Sequence, residues 1–232
     1  MKRRLSCLSA MIFGLLCVPL ANAGRPLQTD DAGVLDLKAC ELEGASLRHE
    51  VFKERDREDS IALSCGIGWG HQLGLALASD GSAGRRHAGA VVGGKARLWS
   101  GSDSDPAWSL GWQIAEARAT GGAWHHVGTG LNLIVSAPLS ALDTLHANLG
   151  YARDERTRAD SSSWGLGLEH TFSGARWAPM AEIFGDDRQR PWVNAGLRWE
   201  SLAARLFISA SLGRQLDPAA AKLATVSFRF VL

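Results

Sequence analysis

The chain has 232 residues, with 25 Lys and Arg against 24 Asp and Glu, a balance that gives no basic footprint for nucleic acid. No segment after the amino terminus is apolar for the roughly 20 residues that a membrane-crossing helix needs, so a helical membrane protein is excluded. The 26 Gly and nine Trp, set among short alternating runs of Ala, Leu and Ser, describe a chain of strands and turns.

The amino terminus reads as an export signal. Lys2, Arg3 and Arg4 precede an apolar stretch from Leu8 to Leu20, and Ala21-Asn22-Ala23 forms a small-residue cleavage site before Gly24. Residues 1–23 are therefore expected to be removed, which places the rest outside the cytoplasm and leaves about 209 residues, the size of one domain. Residues 24–37 form a polar leader containing Pro26, Asp30 and Asp31. Two placements suit it: folded into a lumen as a small plug, or hanging in the periplasm.

The run R-P-L-Q-T-D-D-A-G from Arg25 to Gly33, leading into C-E-L-E from Cys40 to Glu43, resembles proteobacterial outer-membrane barrels related to the MetA-pathway phenol-degradation family, often described as transporters. That resemblance is specific over residues 25–43 and architectural beyond them. It implies an outer-membrane location and a transport role.

From residue 38 to 232 the alternation of apolar and other positions predicts a transmembrane antiparallel up-and-down β-barrel, because a strand in lipid must be apolar at every second position. Strands are expected near 38–52, 60–69, 72–79, 88–99, 107–118, 124–136, 142–153, 162–172, 176–184, 191–199, 204–213 and 221–232. Twelve is an even number, as a bacterial single-chain barrel with both ends in the periplasm requires; ten or fourteen remain compatible with the uncertain strand ends. Charged linkers at 53–59, 79–87, 154–161, 185–190 and 214–221 are expected to be external loops, and the shorter ones between them periplasmic turns, with 100–106 the long exception.

Tryptophans sharpen the reading, since aromatic side chains gather at the two membrane interfaces. Trp69, Trp99, Trp108, Trp177 and Trp199 fall at expected periplasmic strand ends, Trp124, Trp164 and Trp192 at external ones, and Trp112 in mid-strand. A soluble β-sandwich or lipocalin-like barrel would instead need a polar exterior.

Cys7 and Cys17 leave with the signal, so Cys40 and Cys65 remain, on neighbouring expected strands in an oxidising compartment. They read as a disulfide, with two free buried thiols as the alternative, and two cysteines are too few for a structural zinc site. The last strand alternates most strictly: Val226, Phe228, Phe230 and Leu232 share one face while Thr225, Ser227 and Arg229 share the other, and it resembles the C-terminal strand of outer-membrane barrels, which implies a recognition signal for the barrel-assembly machinery.

Twelve strands enclose a narrow lumen. Strand parity turns Glu43, Lys95, Arg97 and Gln113 into it, then His126, Asn132, Glu169 and Glu182, then Arg198, Arg205 and Arg229. Mixed charge in a small bore forms an ion-pair network or lines a conduction path. No enzyme is expected: His125, His126 and Thr129, or His170 with Ser162 and Ser163, supply no fixed nucleophile, base and orienting group. The glycine clusters at 66–70 and 93–95 are not phosphate loops, and Asp103, Asp105, Asp186 and Asp187 lack the spacing of a calcium site, so neither cofactor nor metal is expected. The expectation is a cell outer-membrane channel or facilitator for small molecules, hydrophobic or aromatic ones included, with outer-membrane lipid as surroundings. A barrel without a pore and a lipid-modifying enzyme are the alternatives.

Overall fold

A computed structural model describes residues 27–51, 54–82, 85–102, 104–201, 203–217 and 221–232. The expected export signal lies outside the described residues. Twelve strands run in chain order: β1 (Cys40–Val51), β2 (Glu54–Gly68), β3 (His71–Ser82), β4 (Arg85–Trp99), β5 (Ala107–Ala119), β6 (His125–Pro138), β7 (Asp143–Asp154), β8 (Ala159–His170), β9 (Trp177–Asp186), β10 (Trp192–Glu200), β11 (Leu206–Gln215) and β12 (Lys222–Val231). Each pairs antiparallel with its neighbours, and β12 returns to β1, so the sheet closes with no free edge.

Alternation sets the faces. Leu63 lies opposite Leu75, Leu75 opposite Val92, and Val92 opposite Ile114, and all four are about half exposed on the outer wall. In β12, Val226, Phe228 and Phe230 are exposed, as is Leu232 just beyond it, whereas Thr225 and Ser227 are buried on the lumen side. A wall that is apolar outside and polar within is what lipid demands.

Of the charged linkers expected as external loops, 54–59 and the described part of 79–87 are strand, whereas 155–158, 187–190 and 216–217 lie between strands as expected. β2 begins at Glu54, β3 runs to Ser82 and β4 starts at Arg85. Pairing continues there because the strands outrun the hydrocarbon, where cross-strand ion pairs replace lipid contacts: Arg55 to Glu50 at 3.0 Å and Arg153 to Asp160 at 3.0 Å.

The end carrying Cys40 and Val231 faces the periplasm in this class of barrel. There the β2–β3 turn runs through Gly68, Trp69 and Gly70, all at positive φ of 91°, 51° and 73°. Trp69 is 94 % exposed at the rim. Cys40 and Cys65 are direct partners across β1 and β2 and form the disulfide, with Cα atoms 4.1 Å apart.

Replacing Phe230 with Asp puts a carboxylate on the lipid face near the periplasmic interface and should cost up to about 1 kcal/mol of insertion free energy. The folded fraction in lipid vesicles, read from heat-modifiable gel mobility, should fall, whereas Ser227→Ala on the lumen face should leave it unchanged. The reverse pattern would mean the faces are inverted.

Candidate functional site

The described leader, residues 27–39, lies inside the periplasmic half of the barrel. Leu27, Thr29, Asp30, Ala32 and Val34 are all buried. An extended chain in a lumen has no strand to pair with, so its backbone polar groups must find side chains of the wall. They do so along its length. Glu182 of β9 accepts the backbone N–H of Gln28 at 2.8 Å and of Thr29 at 2.7 Å, and also the Thr29 hydroxyl at 2.7 Å. Asn148 of β7 acts like a strand neighbour: its Oδ1 accepts the Asp30 N–H at 2.5 Å and its Nδ2 donates to the Asp30 carbonyl at 3.0 Å. Ser136 Oγ accepts the Ala32 N–H at 2.8 Å and is itself hydrogen-bonded to His146 Nδ1 at 2.8 Å. Gln72 Oε1 accepts the Leu35 N–H at 2.9 Å, and Arg97 Nη2 donates to the Val34 carbonyl at 3.1 Å.

Lys95 makes the central contact. Its ammonium donates to Asp30 Oδ1 at 3.2 Å and to the Asp31 carbonyl at 2.8 Å, and both side chains of the pair are almost wholly removed from solvent, at 4 % and 2 %. Such a pair contributes little net stability, because desolvation offsets the attraction. Removing one partner strands the other and costs about 3–5 kcal/mol. The pair therefore fixes where the leader sits.

Glycines make room for it. A Cβ at Gly165 would lie 2.7 Å from Thr29 Oγ1, and one at Gly167 would lie 3.3 Å from Thr29 Cβ and 3.4 Å from Leu27 Cδ1. At Gly66 a Cβ would be 2.0 Å from the Asp36 carbonyl oxygen. Beside Gly66 the leader makes a parallel bridge through Leu37, and Lys38 donates its N–H to the Gly66 carbonyl at 3.1 Å. The chain turns there, at a Lys38 φ of 68°, and enters β1 at the disulfide.

Behind the leader, toward the periplasm, the wall closes with side chains. Arg198 holds Glu169 through both carboxylate oxygens, Nη1 to Oε2 at 2.9 Å and Nη2 to Oε1. Arg229 lies over Phe207, 4.3 Å from the ring centre, and Arg198 approaches the same ring at 5.8 Å. Glu43 lies opposite Arg229 in register and is 3 % exposed. Above the leader, on the outer side, the bore holds a cavity of about 300 Å³, floored by Gln28 and Asp30 and walled in part by Gln113, Asn132 and Asn148.

Two of the eleven expected lumen residues fall elsewhere. A bulge in β6 pairs Ala115 with Gly128 and Glu116 with His126, which leaves Val127 as the extra residue. The parity flips there: Val127 turns inward among Ala115 and Ala117, and His126 is exposed opposite the exposed Glu116. Arg205 precedes β11 and is exposed in the β10–β11 turn. Trp192, expected in the interfacial belt, shares the face of the buried Asn194 and lines the cavity with Phe184. Phe207 is a further lumen residue, placed inward by its parity with the buried Ser209.

Fold and wall together define an outer-membrane β-barrel whose lumen is occupied from the periplasmic side by its own amino-terminal segment. The chain belongs to the family described as uncharacterised conserved protein UCP029691, which matches residues 12–227. No curated protein matches it. Among solved structures it is similar to the KdgM porin, with a TM-score of 0.58 and 8 % identity over 82 % of this chain and 98 % of that one. It is also similar to the β-domain of the Bordetella autotransporter BrkA, at 0.55 and 14 % over 84 % and 99 %. A third is the Ralstonia pickettii toluene transporter TbuX, at 0.50 and 8 % over 89 % and 92 %.

Gly165→Val should expel the leader while leaving the wall intact, since valine suits a strand and its Cβ would meet Thr29 Oγ1 at 2.7 Å. Amides of Thr29, Asp30, Ala32 and Leu35, protected in the native protein, should then exchange with solvent at least tenfold faster (about 1.4 kcal/mol of lost protection), with strand amides unchanged. Uniform protection in the variant would show that the leader's seat is elsewhere. Cys40→Ala should still assemble, because the β1–β2 ladder is held by backbone pairing, but the Lys38 amide should lose protection. Failure of Cys40→Ala to assemble would make the disulfide a folding requirement.

Proposed function

We propose that this barrel is an outer-membrane facilitator for small molecules, loaded through its outer mouth and closed on the periplasmic side by residues 27–37. The observation that carries the reading is the juxtaposition of an internal cavity of about 300 Å³ with a floor made of the leader rather than of the wall. A barrel filled only for stability has no need of a removable floor. From Gln28 to Leu35 the hydrogen bonds described above are all made by wall side chains, so that stretch can leave without breaking any ladder hydrogen bond of the barrel. The same fold serves the KdgM porin, also solved in complex with disordered oligogalacturonate, and the toluene transporter TbuX. The likeness of Arg25–Glu43 to barrels of the phenol-degradation group favours hydrophobic or aromatic solutes.

The barrel is read as non-enzymatic. His170 pairs with Asp143 through Nδ1 at 2.7 Å at the periplasmic start of β7, whereas Ser162 and Ser163 lie toward the outer end of β8. The Ser136 hydroxyl beside His146 is taken up by the leader amide. The apolar β12 face ending in Phe230 and Leu232 is read as the segment recognised by the assembly machinery.

In planar bilayers the purified protein should show rare, brief openings. The double variant Lys95→Met, Glu182→Gln should open more often and for longer, and a synthetic peptide spanning residues 27–37 should close the native barrel lacking that segment. Silence from all of these, in preparations shown to be folded, would favour a barrel without a pore.

A further inference from the structure

The outer part of the cavity has a composition of its own. Phe184 and Trp192, neighbours across β9 and β10, lie almost parallel at 8° with centroids 6.2 Å apart. His49 reaches Trp192 from β1, ring centres 5.3 Å apart. Since β11 and β12 separate β10 from β1 in the wall, this contact crosses part of the bore. His49 Nε2 is buried with no hydrogen-bond partner.

Glu58 lines the same cavity from β2 and is 9 % exposed. Among the described residues no hydrogen bond or ion pair reaches its carboxylate. Its register partners are Leu47 on one side and Asp80 on the other, and Asp80 accepts the His87 backbone N–H at 3.1 Å. Two carboxylates opposite one another on adjacent strands repel, and a carboxylate stripped of water without a partner is expensive. Lys95, at the cavity floor, is already held by Asp30 and the Asp31 carbonyl. His49 stands two residues beyond Leu47, so Glu58 is its diagonal neighbour, with Cα atoms about 7–8 Å apart. A ring at His49 and a positive charge at Glu58 can therefore belong to one small molecule, with the aromatic faces adding attraction for the cation itself.

We propose that the outer lumen is a binding site for a small organic cation bearing an aromatic ring, an arylalkylammonium, with its ring against His49, Phe184 and Trp192 and its ammonium at Glu58. The site deepens the facilitator reading and can be tested apart from it. Calorimetric titration of the folded full-length barrel with 2-phenylethylammonium, 2-phenylethanol and phenylacetate compares three molecules of one shape and three charges. The ammonium should bind about tenfold more tightly than the alcohol, and phenylacetate most weakly. Glu58→Gln should erase the gap between ammonium and alcohol, and Trp192→Ala should weaken both together. Should Glu58→Gln not fold, Asp80→Asn should narrow the gap. Phenylacetate binding as well as the ammonium, a gap that survives Glu58→Gln and Asp80→Asn, or no binding by any of the three overturns the proposal. Ammonium binding in a barrel that never conducts would leave this site standing and remove the facilitator reading. Conduction without charge preference in binding would do the opposite.

Discussion

No water reaches the middle of a bilayer, so each backbone N–H and C=O of a spanning strand must be paired with a neighbour, and a sheet meets that condition only when its last strand finds its first. The β1–β12 pairing, ten residues in register from Glu41 with Val231 to Glu50 with Lys222, is where this chain meets it. Everything else follows from closure. Closure makes an inside and an outside, alternation assigns each residue to one of them, and the inside then needs something to fill it. The wall alone does not: Gly93, Gly111, Gly130, Gly150 and Gly165 line the bore without side chains, and the space they leave is shared between the leader and the cavity above it.

The leader reverses the usual relation between wall and content. In a small barrel, ion pairs run from wall to wall, as Arg198 to Glu169 does here. Lys95 and Glu182 instead spend their charge on a segment that precedes the barrel in the chain. The buried pair with Asp30 is poor as a source of stability and good as a register mark, because displacement by one residue would strand a charge in the lumen. Polar specificity near the periplasm and aromatic surface near the outer mouth divide the bore into two regions with different work.

Most of the fold could be read from alternation, since lipid on one face and a polar lumen on the other leave a period of two with few exceptions. The places where reading failed have local causes. At Val127 an inserted residue shifts parity, and nothing in the letters His125 to Gly128 marks it, so simple alternation puts His126 on the wrong face. Charged runs such as 54–59 resemble loops, yet a ladder does not stop where lipid ends, and Arg57 and Asp59 pair on the same strand at 2.9 Å. Trp192 was hidden because tryptophans at barrel strand ends are expected in the interfacial belt. The leader could be recognised as a motif but not placed, because an extended segment paired by side chains has no period of its own.

The Asp30–Lys95 contact joins positions 65 residues apart in the chain. It therefore has a consequence for inheritance. A substitution in the leader that alters charge or bulk at Thr29 or Asp30 is harmful until Lys95, Gly165 or Glu182 changes to match, and the reverse holds for the wall. The two parts are bound to drift as lock and key do, each free to change only in step with the other. A leader exchanged between two diverged members of the family would arrive as a foreign part, tolerated by the barrel's architecture and rejected by its lumen.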